Sequence, residues 1–255
     1  MDLATIIGLV IALGGILVGN HLEGGHLDSI MQGTAALIVL GGSLGATIVS
    51  FPMSTAIAAM KNVKLCIKPP HADPLKTVNQ ILEIAQTVRK SGLLALQADV
   101  AKLDNQFLRS ALQMAVDGVD PSLVKETMEA ELTRLEESRG ESAKFWEAAG
   151  GYAPTIGIIG AVLGLIHVMS NLSDTAKLGA GIAAAFVATI YGVGSANIFF
   201  LPFANKIKVV TQHEIHEAEM ILEGVHMIQV GHNIHIIRRR LSASLDEKSR
   251  AKLED

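Results

Sequence analysis

The chain has 255 residues, 21 Lys and Arg against 25 Asp and Glu, and a formal net charge of -4. With 49% hydrophobic and only 18% charged residues, it is too oily for an ordinary soluble domain and too charged to lie wholly in a bilayer. The acidic balance, with no basic stretch interleaved with aromatics, argues against nucleic acid as a partner. The single cysteine, Cys66, excludes an internal disulfide and any Cys-rich metal site.

Four segments carry no Asp, Glu, Lys or Arg: Leu3 to Gly19, Gly33 to Phe51, Gly151 to Ser170 and Leu178 to Phe203. Each is about the ~20-residue length that crosses a hydrocarbon layer as a helix, and a helix satisfies its own backbone as lipid requires. The first is expected to be retained rather than cleaved, because Met1-Asp2 supplies no positive flank and a short polar loop leads into the second. Lys and Arg are absent from the loop Asn20 to Gln32, and Asn171 to Lys177 holds only Lys177. By the positive-inside rule the region from Pro52 to Gly150, the tail after Ala204 and both termini are cytoplasmic. Gly14-Gly15, Gly41-Gly42 and Gly45 read as faces for close helix packing.

The fold class is therefore an all-α integral membrane protein. It has a hairpin over 1–51, a helical cytoplasmic domain over 52–150, a second hairpin over 151–203 and a helical cytoplasmic tail over 204–255. Pro69-Pro70 and Pro74 break the chain. After them Leu75 to Ser91, Leu93 to Lys102, Asn105 to Val116 and Pro121 to Ala149 read as helices, the last running on into the third span. Ile81, Leu82, Ile84, Ala85 and Val88 form one buried stripe. Asp120 reads as an N-cap with Pro121 in first helical position. The tail from Asn205 to Arg240 carries an apolar spine that prolongs the fourth span.

Ion conduction through lipid normally marks itself with buried ionisable groups. Here the spans offer only His167, Tyr191, Asn197 and hydroxyls such as Thr155 and Thr189, so a partner must bring the acid if protons pass; otherwise these groups bond across helices. Pro154 is compatible with a first-turn proline. Pro202 interrupts an apolar run and is expected to free a carbonyl and bend the helix. His213 and His216 stand at i and i+3 with no third ligand fixed by spacing, so no metal site is expected, and no phosphate loop, nucleophile elbow or catalytic cysteine setting points to an enzyme.

The run Tyr152-Ala153-Pro154-Thr155-Ile156-Gly157-Ile158-Ile159-Gly160-Ala161-Val162-Leu163-Gly164-Leu165-Ile166 resembles the third membrane helix of the flagellar stator family of MotA and PomA. Ala185-Phe186-Val187-Ala188-Thr189-Ile190-Tyr191-Gly192, followed by Pro202, is similar to the family's fourth. Arg89-Lys90-Ser91-Gly92-Leu93-Leu94-Ala95-Leu96 and Ala115-Val116-Asp117-Gly118-Val119-Asp120-Pro121 resemble its cytoplasmic motifs, so the likeness spans nearly the whole chain.

That resemblance implies a multi-pass subunit of the bacterial inner membrane, the A subunit of an ion-driven rotary motor. In the family five such subunits surround two copies of a single-span MotB or PomB partner whose transmembrane aspartate carries the ion. It further implies that Thr189, Ala161, Thr155 and Tyr191 line the ion path and that Pro154 and Pro202 couple ion passage to movement. Arg89 and Lys90, with Gln97, would meet the rotor switch protein FliG. The family often has a glutamate where this chain has Gln97, with Glu83, Asp99 and Asp104 as acidic neighbours, and Ser195 stands where a larger apolar residue is usual. Sodium-driven relatives have a threonine at the position of Ala161, so the transported ion is expected to be H+ rather than Na+, with no other cofactor. Arg238-Arg239-Arg240 is a second candidate contact for the rotor or for membrane lipid. The competing readings are an ExbB or TolQ type energising subunit and a non-conducting membrane scaffold.

Overall fold

The computed structural model describes residues 2–70, 73–170 and 175–254. Its helices are α1 (Leu3–Leu22), α2 (Gly33–Ser50), α3 (Met53–Asn62), α4 (Lys64–Ile67), α5 (Pro74–Ser91), α6 (Gln106–Val116), α7 (Pro121–Met169), α8 (Thr175–Gly194), α9 (Leu201–Val230), α10 (Ile234–Ser242) and α11 (Glu247–Glu254). Four helical stretches are long and apolar enough to cross a membrane: α1, α2, α7 and the continuous run from α8 into α9. Most of the turn expected at 171–177 lies outside the described residues. The chain divides into two compact units, Met1–Pro69 with Ser138–Val210, and Pro70–Glu137 with Thr211–Asp255.

The first unit holds the spans and a collar of aromatic and small residues beside them. Trp146 donates its indole N–H to the Ala59 carbonyl at 3.1 Å, stacks on Phe200 at 5.7 Å between ring centroids and meets Phe145 and Phe203 edge-on. Ala56, Ala143, Ala149, Ala153 and Ala204 fill the gaps around these rings, so α3 lies close on α7 and α9. Asn62 donates to Ser142 Oγ at 2.9 Å, and Thr55 donates to Glu141 at 3.2 Å. Each aromatic pair adds about 0.5–1.5 kcal/mol beyond its buried area, so this collar is a rigid base for the spans. Cys66 is buried within it, and burial pushes its thiol up to about 11.

Helix α1 buries none of its residues. Its start is tied down by polar bonds: the Asp2 N–H donates to the Ile67 carbonyl at 2.8 Å, and the Asp2 carboxylate accepts from Thr5 Oγ1 at 2.6 Å and pairs with Lys206. The Lys206 ammonium, then the Thr5 hydroxyl, lower the Asp2 carboxyl to about 2. Gly14, Gly15 and Gly45 have no atom of this chain within 4 Å of where a Cβ would stand. The expectation of close helix packing is therefore met at Gly42, whose Cβ position lies 2.9 Å from Ile156 Cγ2, and not at these three within one chain.

Both prolines sit in helix interiors. Pro154 lies 33 residues inside the 49-residue α7 rather than in a first turn, because the charged helix before it runs on unbroken. Pro202 has no N–H for the Ile198 carbonyl four residues earlier, and the turn just before it, Ser195–Phe200, is wound wider as a π-helix. The relief takes the form of a widened turn through which the helix continues.

The second unit packs α5, α6 and the 121–137 and 211–230 parts of α7 and α9 with α10 and α11 around Ile81, Leu108, Leu112, Ile221, Ile237 and Leu241. Asp73 caps α5 by accepting from the Lys76 N–H, and Pro74 takes the first helical position instead of ending structure. Asn105 caps α6 in the same way, and Asp120 accepts from the Ser122 N–H at 2.9 Å at the head of α7. The helix expected over Leu93 to Lys102 is two short pieces, a 3-10 turn Leu93–Leu96 and an α-turn Gln97–Val100, and Gly92, at φ +77°, separates them from α5. The expected continuous tail is also broken. Gly231 takes φ +82° and Asn233 caps a new helix, so α10 turns back against α5 instead of extending α9.

Candidate functional site

The third and fourth spans meet along a seam of glycine and alanine. A Cβ on Gly192 would lie 2.6 Å from the Ala153 carbonyl oxygen, and one on Gly157 would lie 2.9 Å from the Ala188 carbonyl oxygen. Gly160 faces the Ala188 methyl, Gly164 faces the Ala185 backbone and Gly181 faces Val168. On α7 the seam runs 153, 157, 160, 164, 168, and on α8 it runs 181, 185, 188, 192. Steps of three and four residues hold one stripe of each helix against the other over the depth of the span. In lipid, where apolar surface gains nothing by leaving water, such backbone contact is what holds two helices together.

The seam divides the hairpin into two sides. The residue after a seam position lies about 100° further round its helix. In two antiparallel helices, the residues following seam positions fall on one side and those preceding them on the other. The preceding side carries Ile156, Val187 and Tyr191, which α2 and the residues just before it cover, while Ile159 and Leu163 on the same side stay exposed. Ile156 lies against Gly42, Val187 packs with Ala35 and Val39, and Tyr152 and Ser50 share a hydrogen bond of 3.0 Å. The Tyr191 hydroxyl donates to the Ile30 carbonyl at 2.6 Å and accepts from the Gln32 N–H at 3.2 Å.

The following side carries Pro154, Ile158, Ala161 and Leu165 on α7 and Ile182, Phe186, Thr189 and Val193 on α8. The large side chains here are open, Phe186 at 69% and Ile158 at 57% exposure. This face holds no charge. Thr189 is half-buried, and its hydroxyl reaches the Ala185 carbonyl only at 3.4 Å, a slack bond that leaves the oxygen available to a visitor.

Of the residues expected along an ion path, Ala161 and Thr189 therefore share a face with Pro154. Tyr191 lies on the other side with its hydroxyl already bonded twice. Thr155 falls about 200° past Ala153 on α7, away from the fourth span, and bonds back to the Tyr152 carbonyl at 2.8 Å. Pro202 is exposed, one turn before Lys206 and beside the first turns of α1.

Arg89 and Lys90 end α5, where cations favour the helix dipole, and both are exposed. Gln97 opens the short turn Gln97–Val100 and is exposed. Asp99 is engaged with Lys102 at 2.8 Å, while Glu83 and Asp104 are exposed. Two of the three consecutive arginines have internal work: Arg238 donates to the Leu253 carbonyl at 2.9 Å, and Arg240 pairs with Glu223. Sequence reasoning missed the seam, although its signal was present as small residues at steps of three and four in both spans.

Residues 6–92 match the motility protein A N-terminal family, and residues 99–220 match the MotA/TolQ/ExbB proton channel family. Motility protein A of Helicobacter pylori is 36% identical over 94% of this chain and 94% of its own. The chemotaxis protein PomA of Vibrio alginolyticus is 30% identical over 98% of each chain. Among solved structures, C. jejuni MotAB aligns with a TM-score of 0.91 at 33% identity, covering 97% of both chains. The flagellar MotAB stator complex from Bacillus subtilis aligns at 0.87 and 33%, covering 98% of this chain and 99% of that one.

Proposed function

Since this chain belongs to the MotA/TolQ/ExbB proton channel family, in its motility protein A branch, we infer that it is the A subunit of a flagellar stator in the bacterial inner membrane, coupling ion flow to torque together with a B subunit. The observation that carries the mechanism is the uncovered, charge-free face that unites Pro154, Ala161 and Thr189. A face without an acid cannot relay a proton by itself, and an ionisable side chain within a membrane span is tolerated where it faces the interior of a bundle or a water-filled cavity, so the acid comes from a partner helix enclosed against this face. The B subunit's single span supplies an aspartate opposite Thr189, and five copies of this chain enclose the partner helices.

The carboxylate is charged when it faces water and neutral after taking up the ion, so each loading changes which packing of the ring is favoured. Pro154 lies between Ala153 and Gly157, both in the seam, and Pro202 follows a widened turn. At these two places a backbone carbonyl lacks its helical donor, so the helix yields there at the least cost in hydrogen bonds. The spans move as a pair because the seam locks them together. The Lys- and Arg-rich regions are cytoplasmic by the positive-inside rule, which places both termini inside and sets Arg89 and Lys90 toward the rotor protein FliG.

The ion is the proton. At Ala161 the face presents a methyl where a further oxygen would help a hard cation such as Na+, which prefers oxygen ligands. The role is conduction and coupling, with no catalysis.

The test is flux into vesicles carrying the complex with its partner. Thr189→Val and Ala161→Phe lower proton flux about tenfold or more, a barrier rise of ~1.4 kcal/mol, while Thr155→Val leaves it unchanged. Equal flux in all four proteins would remove the face from the path, and flux that stops without Na+ would overturn the proton assignment. A non-conducting scaffold would show no flux with or without the partner.

A further inference from the structure

Helix α3 lies across α7 instead of along it. Thr55 donates to Glu141, the Ala59 carbonyl accepts from Trp146, and Asn62 donates to Ser142. Thr55 and Asn62 are separated by a rise of about 10 Å, yet their partners are adjacent residues of α7. A helix running beside α7 would spread those partners over two turns. Since α7 goes on to cross the membrane, α3 lies near the membrane plane. Its level is that of the headgroups, because Glu141 and Trp146 fall within two turns of Glu147, the last charged residue ahead of the third span. Val49, in the last turn of α2, is open and brings exposed apolar surface to within a few residues of Met53.

Three sectors divide α3 around its axis. Thr55, Ala56 and Ala59 are buried on the side of the collar. Met53, Ile57 and Met60 fall within about 60° of one another. They are left 61%, 49% and 56% exposed. Ser54 and Lys61 follow about 40–60° beyond Ile57 and are exposed too. A helix with one face on protein, one open apolar stripe and a polar edge suits the boundary between acyl chains and headgroups.

The charge on this segment has one sign. From Pro52 to Ala72 the chain holds Lys61, Lys64 and Lys68 and no Asp or Glu. All three lysines are exposed, and the carboxylates near the collar are engaged elsewhere: Asp2 with Lys206, Glu147 with Lys208 and Glu141 with Thr55.

We propose that α3 and α4 form an interfacial site for anionic phospholipid, with Met53, Ile57 and Met60 among the upper acyl carbons and Lys61, Lys64 and Lys68 on the phosphate groups. A second copy of the chain or another protein fits less well. Lysine is depleted at protein interfaces, while a fluid phosphate surface accepts the point charge of an ammonium on a flexible stem. The cytoplasmic leaflet carries anionic lipid, and the positive-inside rule sets this segment there. Each lysine near such a surface is worth about fivefold, so three together favour anionic over neutral lipid by on the order of a hundredfold. Because α3 also holds Trp146 through the Ala59 carbonyl, bound lipid steadies the collar from outside. None of these residues lies in the ion path or the rotor contact.

The experiment uses the full chain with its B subunit. Spin labels at Ile57→Cys and Ser54→Cys, each in a Cys66→Ala background, are read in nanodiscs of mixed phosphatidylcholine and phosphatidylglycerol. Their collisions with oxygen, which concentrates in hydrocarbon, are compared with those of a nickel chelate, which stays in water. Oxygen should reach the Ile57 label and the chelate the Ser54 label. In parallel the delipidated complex in detergent is titrated with phosphatidylglycerol or phosphatidylcholine, bound lipid being counted by native mass spectrometry. Wild type should prefer phosphatidylglycerol, and Lys61→Gln, Lys64→Gln and Lys68→Gln combined should lower that preference about tenfold or more. Thermal stability without added lipid verifies that the variants keep the fold.

Chelate reaching both labels would mean a solvated helix and overturns the proposal. Neither reagent reaching the Ile57 label would mean that a second copy or another protein covers the stripe, which overturns it as well. An unchanged lipid preference in the triple variant, with oxygen at Ile57, would leave an apolar anchor without an anionic site and overturns the role of the lysines.

Discussion

Gly157 and Gly192 touch backbone to backbone: a Cβ placed on either would come within 3.1 and 3.0 Å, respectively, of the other's Cα. The neighbouring carbonyl oxygens of Ala188 and Ala153 leave no room for a side chain there. Gly192→Val should force the third and fourth spans apart and cost about 1–3 kcal/mol by overpacking. Thermal unfolding of the purified complex reads this directly. Gly140→Ala is the contrast, since nothing lies within 4 Å of its Cβ position inside α7, and it should raise stability by roughly 0.5–1 kcal/mol. A melting temperature that stays put in Gly192→Val would remove the seam as the element joining the spans.

Tyr191→Phe separates structure from conduction. The lost hydroxyl bonded the Ile30 carbonyl and the Gln32 N–H, so the change should cost about 1–3 kcal/mol, the upper end applying if both groups stay dry. Proton flux per assembled complex should remain at the wild-type level, because α2 and the residues just before it cover the ring. Reduced flux with unchanged stability would put Tyr191 in the ion path.

Asp2 gives a pH-dependent anchor for α1. Its folded carboxyl is lowered to about 2 by Lys206 and Thr5, below the ordinary value of ~3.9. The stability it contributes is therefore fully present above ~4 and is lost only as pH falls through about 2. Asp2→Asn should raise hydrogen exchange in the first turns of α1 at neutral pH, and wild type should match it only in strong acid. Identical exchange of the two proteins at pH 7 would show that the pair does not hold α1.

Cys66 should be nearly inert. The thiolate is the reacting species, and a thiol raised to about 11 is ionised to only a small extent at pH 8. Alkylation of the native complex should be about 100-fold slower than of an ordinary thiol, then rapid on denaturation. The unfolded thiol ionises first as pH rises, so this group's contribution to stability falls between about 8.5 and the folded value of about 11. Fast labelling at pH 8 would mean that the collar around Cys66 opens readily.

Trp146 anchors that collar. Trp146→Phe removes the bond to the Ala59 carbonyl and should cost about 1 kcal/mol or somewhat more, whereas Trp146→Ala also leaves a cavity and should cost about 3–5 kcal/mol. Unfolding of the complex in detergent distinguishes the two. Equal effects would mean that ring packing contributes little beyond the hydrogen bond.

The four spans were legible as uncharged runs because the requirement that lipid imposes acts on each segment by itself. The cap at Asp120 was equally plain, since a cap needs only its own helix. Pro154 misled because its local preference suits a first turn, yet the surrounding helix tolerates it in the interior. The tail misled because its apolar spine continues past Gly231, while a single left-handed residue redirects it.

By itself the order of residues determined that the polypeptide is helical, crosses lipid four times and brings no acid to those crossings. Tertiary structure alone decided that Thr189 and Ala161 share a face with Pro154, that Tyr191 does not, and that the start of α10 comes to rest beside Arg89. The division follows from range. Hydropathy, capping and turn chemistry are properties of neighbours along the chain, but which side of a helix is covered depends on a partner more than a hundred residues away, as Tyr191 depends on Ile30 with a separation of 161.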